Sequence, residues 1–158
     1  MEVKQVPVAA VERSLIWIEA VENALAEKGG AELADQIMRA AGKKCALQIL
    51  ADCEEILGKK PETVDELLNA TNRRRLQRHS LANLWERDGN TAHLKIDSCA
   101  CTLVRAGLAR PNPVHCRCSK GLMVELFSTV TRGPVHVEMV KTVGCGDDCC
   151  EFMVYFED

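Results

Sequence analysis

The cysteines are the residues of this sequence whose type and spacing could do chemistry. There are nine of them, and seven lie between Cys99 and Cys150. Two C-x-C pairs, at residues 99–101 and 116–118, are separated by fourteen residues. A soft metal ion is held by about four thiolates at tetrahedral positions, and two short pairs joined by a loop would provide them. The pattern predicts a metal shell, for Zn²⁺ or alternatively an iron–sulfur cluster. Its expected ligands are Cys99, Cys101, Cys116, Cys118 and Cys150.

Other roles for these thiols stay open at this point. Reduced cysteines often pack as small hydrophobic side chains, and a catalytic or redox pair is a further alternative. Cys45 follows two lysines near a predicted helix start, where the helix dipole and the lysine charge favour a thiolate. Cys45 is therefore a candidate nucleophile, whereas Cys53, eight residues on, is expected to pack inside. His115 directly precedes Cys116 and is a candidate base or metal ligand.

The overall composition is that of a soluble globular protein. The chain has 158 residues, of which 47% are hydrophobic and 27% charged, and this excludes a disordered or collagen-like chain. The formal net charge of −3 argues against a nucleic-acid partner. The length is that of a single domain, residues 1–158.

The amino-terminal residues do not resemble a signal peptide. Glu12 and Arg13 interrupt the first apolar run, and no stretch is apolar enough to span a membrane. We therefore expect a cytoplasmic protein without a membrane partner. Thiols stay reduced in that compartment, which favours metal or catalytic roles over disulfides.

Helical spacing dominates residues 1–80. Val11, Leu15, Ile18 and Leu25 predict a first helix that ends at Gly29–Gly30. Further helices are expected over residues 31–41, ending at Gly42, and over residues 44–57, ending at Gly58. A fourth helix is expected after Pro61. Thr63 and Glu66 fit its capping box, and its buried face is predicted to comprise Val64, Leu67, Leu68 and Leu76.

Residues 91–158 form a cysteine-rich half with a different pattern of apolar and polar residues. A strand is expected over residues 91–97, then an irregular segment over residues 99–118, then a helix capped by Ser119. Residues 135–143 and 149–156 alternate between apolar and polar side chains, which predicts an antiparallel hairpin. The predicted fold class is α+β, with a helical amino-terminal half packed on a small carboxy-terminal antiparallel sheet that carries one helix.

The last forty residues resemble two families. The run from Cys116 to Gly121, the following helix and the segment GPVHVEMVKTVGCGDDCCEFMVYF resemble vinyl-4-reductase-type domains. The closing G-D-x-x-C-x-F motif, residues 146–152, also resembles the L-2-amino-thiazoline-4-carboxylic acid hydrolase family, and it places Cys150 at the family cysteine. The first resemblance implies a small α+β domain with a pocket for a small hydrophobic ligand.

The vinyl-4-reductase resemblance also implies a zinc site made of cysteines and a carboxylate. Cys116 and Cys150 match two of its cysteines. Thr142 stands where a third is expected, and Glu138 lies one residue from the carboxylate position. The site would therefore have to be rebuilt with Cys99, Cys101 and Cys118.

Three functions follow from these observations. The favoured one is a metal-binding module that binds or senses a small hydrophobic or amino-acid-like ligand. The first alternative is a hydrolase of the amino-thiazoline-carboxylate type, with a cysteine nucleophile or a metal-bound water. The second is a thiol redox or soft-metal-handling protein. Whether the protein is an enzyme stays open, and the carboxy-terminal hairpin could leave an edge strand for a homodimer.

Overall fold

Helices form the first half of the chain, as predicted. The computed structural model describes residues 7–79, 83–99 and 101–157. Helix α1 spans Val8–Ala24 and continues through one π-helical turn, Leu25–Gly29. The predicted end at Gly29–Gly30 is confirmed, since Gly30 has φ +72°, a conformation that favours glycine.

Helix α2 covers Gly30–Leu57 without interruption, so the predicted helix end at Gly42 is wrong. Gly42 has a packing role instead, because a Cβ there would collide with the carbonyl oxygen of Cys118 on a later helix. The absence of a side chain lets the two helices cross at close range. The predicted end at Gly58 is confirmed by its left-handed conformation, φ +74°.

Helix α3 covers Val64–His79 and begins with the predicted capping residues. The hydroxyl of Thr63 accepts a hydrogen bond from the backbone N–H of Glu66 at 3.2 Å. Val64, Leu67 and Leu68 are buried as expected, but Leu76 is 50% exposed. The prediction for Leu76 is wrong because the part of α3 in the hydrophobic core ends at Ala70.

The sheet has four antiparallel strands in the order β1-β2-β4-β3. The predicted strand after residue 90 and the predicted hairpin are both confirmed, whereas the short first strand was not predicted. The strands are β1 Glu86–Asp88, β2 Thr91–Ile96, β3 His136–Lys141 and β4 Cys150–Tyr155.

The segment predicted to be irregular, residues 99–118, contains two helices. A short α4 covers Thr102–Arg105, and α5 covers Pro113–Ser128. Helix α5 therefore begins six residues before Ser119, the predicted cap. Asn112 caps it instead, and Pro113 at its first position has a φ suited to a helix start.

One hydrophobic core joins the helices to one face of the sheet. Phe127 of α5 lies at its centre, with ring centroids 5.4 Å from Trp85 and 5.6 Å from Phe156. Helix α2 contributes Ala46 and Cys53 to the same cluster. The fold class is α+β, as predicted, and α5 is the one long helix of the second half.

Candidate thiol site

The start of α5 places a histidine in a buried position. The side chain of Asn112 accepts a hydrogen bond from the backbone N–H of His115 at 2.8 Å. This cap fixes the first turn of the helix and with it the imidazole of His115, which is 5% exposed.

The imidazole of His115 lies between a carboxylate and a thiol. Its Nδ1 is 2.5 Å from Oε1 of Glu22, and its Nε2 is 3.3 Å from Sγ of Cys101. The other oxygen of Glu22 accepts a hydrogen bond from the amide nitrogen of Asn112 at 2.5 Å. A thiol, an imidazole and a carboxylate thus form a continuous line, in the order that activates a cysteine nucleophile.

Helix α1 contributes the carboxylate from a buried position, which is unusual for a charged residue. Glu22 lies on the same helix face as Leu15 and Ile18, which is turned toward the rest of the protein, and it is 4% exposed. Among the described residues of α1, Glu22 is the buried one. A buried carboxylate must be paired, and the partners of Glu22 are His115 and Asn112.

The contacts of Cys101 favour its thiolate form, and the contacts of His115 favour its imidazolium form. Hydrogen bonds to Cys101 and then to Glu22 raise the pKa of His115 to about 10, against the effect of its burial. Burial alone would raise the pKa of Cys101, but the hydrogen bond from His115 and the nearby amides of Val104 and Leu103 outweigh it, so that the pKa is lowered. These amides belong to the first turn of α4. Cys101 is the N-cap residue of that helix, and its side chain forms no cap hydrogen bond.

The other predicted metal ligands differ in their immediate surroundings. The neighbouring thiol of Cys150, together with burial, raises the pKa of Cys99. Cys116 is buried against Gly144, whose Cα leaves no room for a Cβ beside the sulfur. Burial, followed by the charges of Cys101 and Cys45, raises the pKa of Cys118 to about 12.

No metal site is apparent among the described side chains. Within residues 7–79, 83–99 and 101–157, no group of three or more His, Cys, Asp and Glu side chains is arranged to hold one. Zinc or iron–sulfur binding by the shell of cysteines therefore stays a prediction, which elemental analysis of the purified protein would test.

The predicted nucleophile Cys45 does not lie at a helix start. It stands in the middle of α2 and is exposed, because the predicted break at Gly42 does not occur. Burial of its sulfur and the neighbouring charge of Cys101 raise its pKa. The helix-start position on which that prediction rested is therefore wrong, whereas a nucleophilic role for Cys45 stays a prediction. The structure places the candidate base His115 against Cys101.

Two residues of the site were not predicted from the sequence, Glu22 and Asn112. A signal for Glu22 was available, because it lies four residues after Ile18 and so interrupts the apolar stripe of the first helix. Asn112 precedes a proline, Pro113, and the pair Asn-Pro is a common helix start.

A shallow cleft lies elsewhere, on the outer face of the sheet. Its volume is about 500 Å³, and its lining includes Arg87, His93 and Tyr155. Nε2 of His93 is within hydrogen-bond distance of Oε1 of Glu151, at 2.9 Å. The cleft contains none of the predicted site residues. The candidate base His115 and the thiol that it contacts therefore lie outside the cleft, at the thiol site.

Comparison with known proteins identifies the family. Residues 7–158 match the family described as "Family of unknown function (DUF6144)". The chain belongs to this family. No curated protein matches it, and no described helix is long and apolar enough to cross a membrane.

Two solved structures are similar to this family member. One is a trafficking protein particle complex subunit 3 from Naegleria fowleri, covalently bound to palmitic acid, with 11% identity, a TM-score of 0.58 and coverage of 96% of each chain. The other is a vinyl-4-reductase family protein from Methanocaldococcus jannaschii, with 18% identity and a TM-score of 0.44, covering 99% of this chain and 85% of that one. The first similarity shows that the two chains share a fold. The resemblance to amino-thiazoline-carboxylate hydrolases stays a prediction.

Proposed function

We propose that this protein binds a small acyl ligand and holds it covalently, as a thioester on Cys101. The observation that carries the proposal is the line of contacts from the partly buried thiol of Cys101 through His115 to Glu22, at 3.3 Å and 2.5 Å. A cysteine packed only for its volume needs no such partners, whereas a nucleophilic thiolate does.

The chemistry follows from the charges of the three groups. The thiolate of Cys101 attacks the carbonyl carbon of an activated acyl compound, an ester or a thioester. The leaving alkoxide or thiolate takes the proton from Nε2 of His115, and the acyl group stays on the sulfur of Cys101. Glu22 holds the imidazole through Nδ1 and stabilises its charged form.

The same groups could release the acyl group again by hydrolysis. Neutral His115 would accept a proton from water, and the resulting hydroxide would attack the thioester carbonyl. Cys101 would leave as a thiolate, which the reprotonated imidazole stabilises. Slow release would make the protein an acyl carrier or sensor, and fast release would make it a hydrolase.

A fatty acyl chain is the first ligand to test. The trafficking subunit that shares this fold is described as covalently bound to palmitic acid, and the two proteins are only 11% identical. The fold can therefore accommodate a covalently held acyl chain in at least one protein. This supports an acyl ligand for the present chain, whose own thiol site provides the means of attachment.

The proposal is tested with p-nitrophenyl acetate and p-nitrophenyl octanoate. We expect a burst of p-nitrophenol of about one equivalent per chain, as acyl-enzyme formation produces, and a mass increase that maps to Cys101. Cys101→Ala should abolish the burst. His115→Gln and Glu22→Gln should slow it, the second less severely.

Cys145→Ser is the matched control, because Cys145 is exposed in the turn before β4, and it should leave the burst unchanged. A burst that persists in Cys101→Ala, or an acyl group that maps to another cysteine, would refute the proposal. Comparison of the two esters measures whether the site prefers the longer chain.

A further inference from the structure

Cys118 lies on the face of α5 that meets Cys101. His115 and Cys118 are three residues apart on this helix, so their side chains are neighbours on one face. Because Nε2 of His115 is 3.3 Å from Sγ of Cys101, this face carries a second thiol beside the reactive one.

A third thiol approaches from α2. Gly42 packs against the backbone of Cys118, and Cys45 follows Gly42 by three residues on the same face of α2. Electrostatics agree with this arrangement, since the charge of Cys101 contributes to the raised pKa values of both Cys118 and Cys45.

Solvent can reach this group of thiols, in contrast to the thiols of the core. Cys101 and Cys118 are partly exposed and Cys45 is exposed, whereas Cys53 and Cys116 are buried. The largest influence on the thiol of Cys99, two residues before Cys101, comes from Cys150. Cys118 is therefore the thiol best placed to react with a modified Cys101.

We propose that Cys101 reduces hydroperoxides and that Cys118 resolves the product as a Cys101–Cys118 disulfide. This activity uses the same nucleophile as the acyl chemistry but does not depend on it, because Cys118 has no part in acyl transfer.

The steps balance with a hydroperoxide as oxidant and an external dithiol as reductant. The thiolate of Cys101 attacks one peroxide oxygen, the O–O bond breaks, and the leaving hydroxide or alkoxide takes a proton from His115. Cys101 becomes a sulfenic acid. The sulfur of Cys118 then attacks it, its thiol proton goes to the departing hydroxide, and water leaves as the disulfide forms. Two thiol–disulfide exchanges with the dithiol restore both thiols.

The test begins with the reduced full-length protein and hydrogen peroxide in slight excess. After the remaining thiols are blocked with N-ethylmaleimide, the intact mass should show the loss of two hydrogens and two fewer blocked thiols. Peptide mapping of the wild-type protein should identify a Cys101–Cys118 link, which dithiothreitol reverses. This measurement needs no variant and so does not depend on how a variant folds.

Variants separate the resolving thiol from its neighbours. In Cys118→Ala, the sulfenic acid of Cys101 should persist and react with dimedone, while the p-nitrophenol burst stays normal. Cys145→Ser should behave as the wild type in both assays. A first disulfide between Cys101 and Cys45, or between Cys99 and Cys150, would overturn the proposal, as would undiminished peroxide consumption by Cys101→Ala.

Discussion

At the scale of single residues, the contact between Cys101 and His115 favours the charged forms of both groups, since the pKa of Cys101 is lowered and that of His115 is raised. An isolated buried charge is costly, but here each charge faces its opposite, and Glu22 adds a second negative partner for the imidazole. Removal of one member leaves the others uncompensated, so the three side chains should be strongly coupled in any double-mutant comparison.

Alkylation of Cys101 should report the thiolate directly. The lowered pKa predicts that the rate of reaction with iodoacetamide, followed at the Cys101 peptide, rises with an inflection below the usual value of 9.0. In His115→Gln, burial of the sulfur is no longer outweighed, so the inflection should move to higher pH. The rate at neutral pH should fall by roughly tenfold for each unit of that increase.

Cys45 offers an internal reference in the same experiment, because it is exposed and its pKa is raised. It should react more slowly than Cys101 at neutral pH in the wild type. Its rate should not fall in His115→Gln, because loss of the Cys101 charge removes one cause of its raised pKa. A wild-type inflection for Cys101 at or above 9.0 would contradict the charged pair.

Residue types alone identified His115 and the cysteines as candidates for catalysis or metal binding. They did not identify which of these side chains are in contact. Cys101 meets His115 because the chain between them contains α4 and an early start of α5, and both depend on caps that the spacing of cysteines does not reveal. Glu22 reaches the site from a distance of 93 residues along the chain. Such a contact depends on how α1 packs, which one sequence does not encode in any local pattern.

At the scale of elements, the crossing of α2 and α5 sets the positions of Cys45 and Cys118. Gly42 and Gly121 face the backbone of the opposite helix at this crossing. The sequence suggested a helix end at Gly42 because glycine is common there. From the sequence alone, a glycine that ends a helix cannot be distinguished from a glycine that allows close packing, because the partner helix is not known.

Gly42→Ala should therefore destabilise the protein despite the better helix propensity of alanine. The propensity gain is about 1 kcal/mol, while overpacking against rigid backbone costs about 1–3 kcal/mol, and a Cβ here would collide with the backbone of Cys118. Urea unfolding should show a net loss of stability. Lys44→Ala, an exposed change on the same helix, is the control and should be neutral, whereas a Gly42→Ala variant more stable than the wild type would refute the close crossing.

A buried ion pair ties α2 to α3. Nε of Arg74 is 2.6 Å from Oδ2 of Asp52, and the two side chains are 16% and 7% exposed. Asp52→Asn should cost about 1–3 kcal/mol, because it removes the counter-charge of a partly buried guanidinium. The matched control is Asp35→Asn, which weakens the more exposed pair with Arg39 and should cost about 0.3–0.5 kcal/mol. Equal losses in the two variants, measured by urea unfolding, would contradict this role.

At the scale of the whole molecule, the sequence predicted the order of secondary structure better than its contacts. The α+β class, the helical first half and the closing hairpin all follow from apolar periodicity, which is a local property. The edge strand β1 is three residues long, too short for such a pattern to appear. The site joins α1, α4 and α5, and long-range packing of this kind depends on the core around Phe127 rather than on any motif.

The charged pair also links the stability of the whole fold to pH. His115 has a folded pKa of about 10 against a usual 6.5, so its contribution is fully present below pH 6.5 and is lost as the pH rises toward 10. Cys101 has a folded pKa below its usual 9.0, so its contribution is present above pH 9.0 and is lost as the pH falls through the folded value. Between pH 6.5 and 9.0 the two slopes oppose each other where both groups are charged, and the free energy of unfolding should change little on their account.

Cys101→Ala removes one of these opposing slopes. The variant keeps the hydrogen bond of His115 with Glu22, so its stability relative to the wild type should decline as the pH rises above 6.5. Urea unfolding of both proteins from pH 6 to pH 9 measures the difference between their free energies of unfolding. The contributions of titrating groups that both proteins share cancel in this difference. Parallel pH profiles would mean that Cys101 and His115 do not exchange charge in the folded protein, and the thiol site would then lose its electrostatic basis.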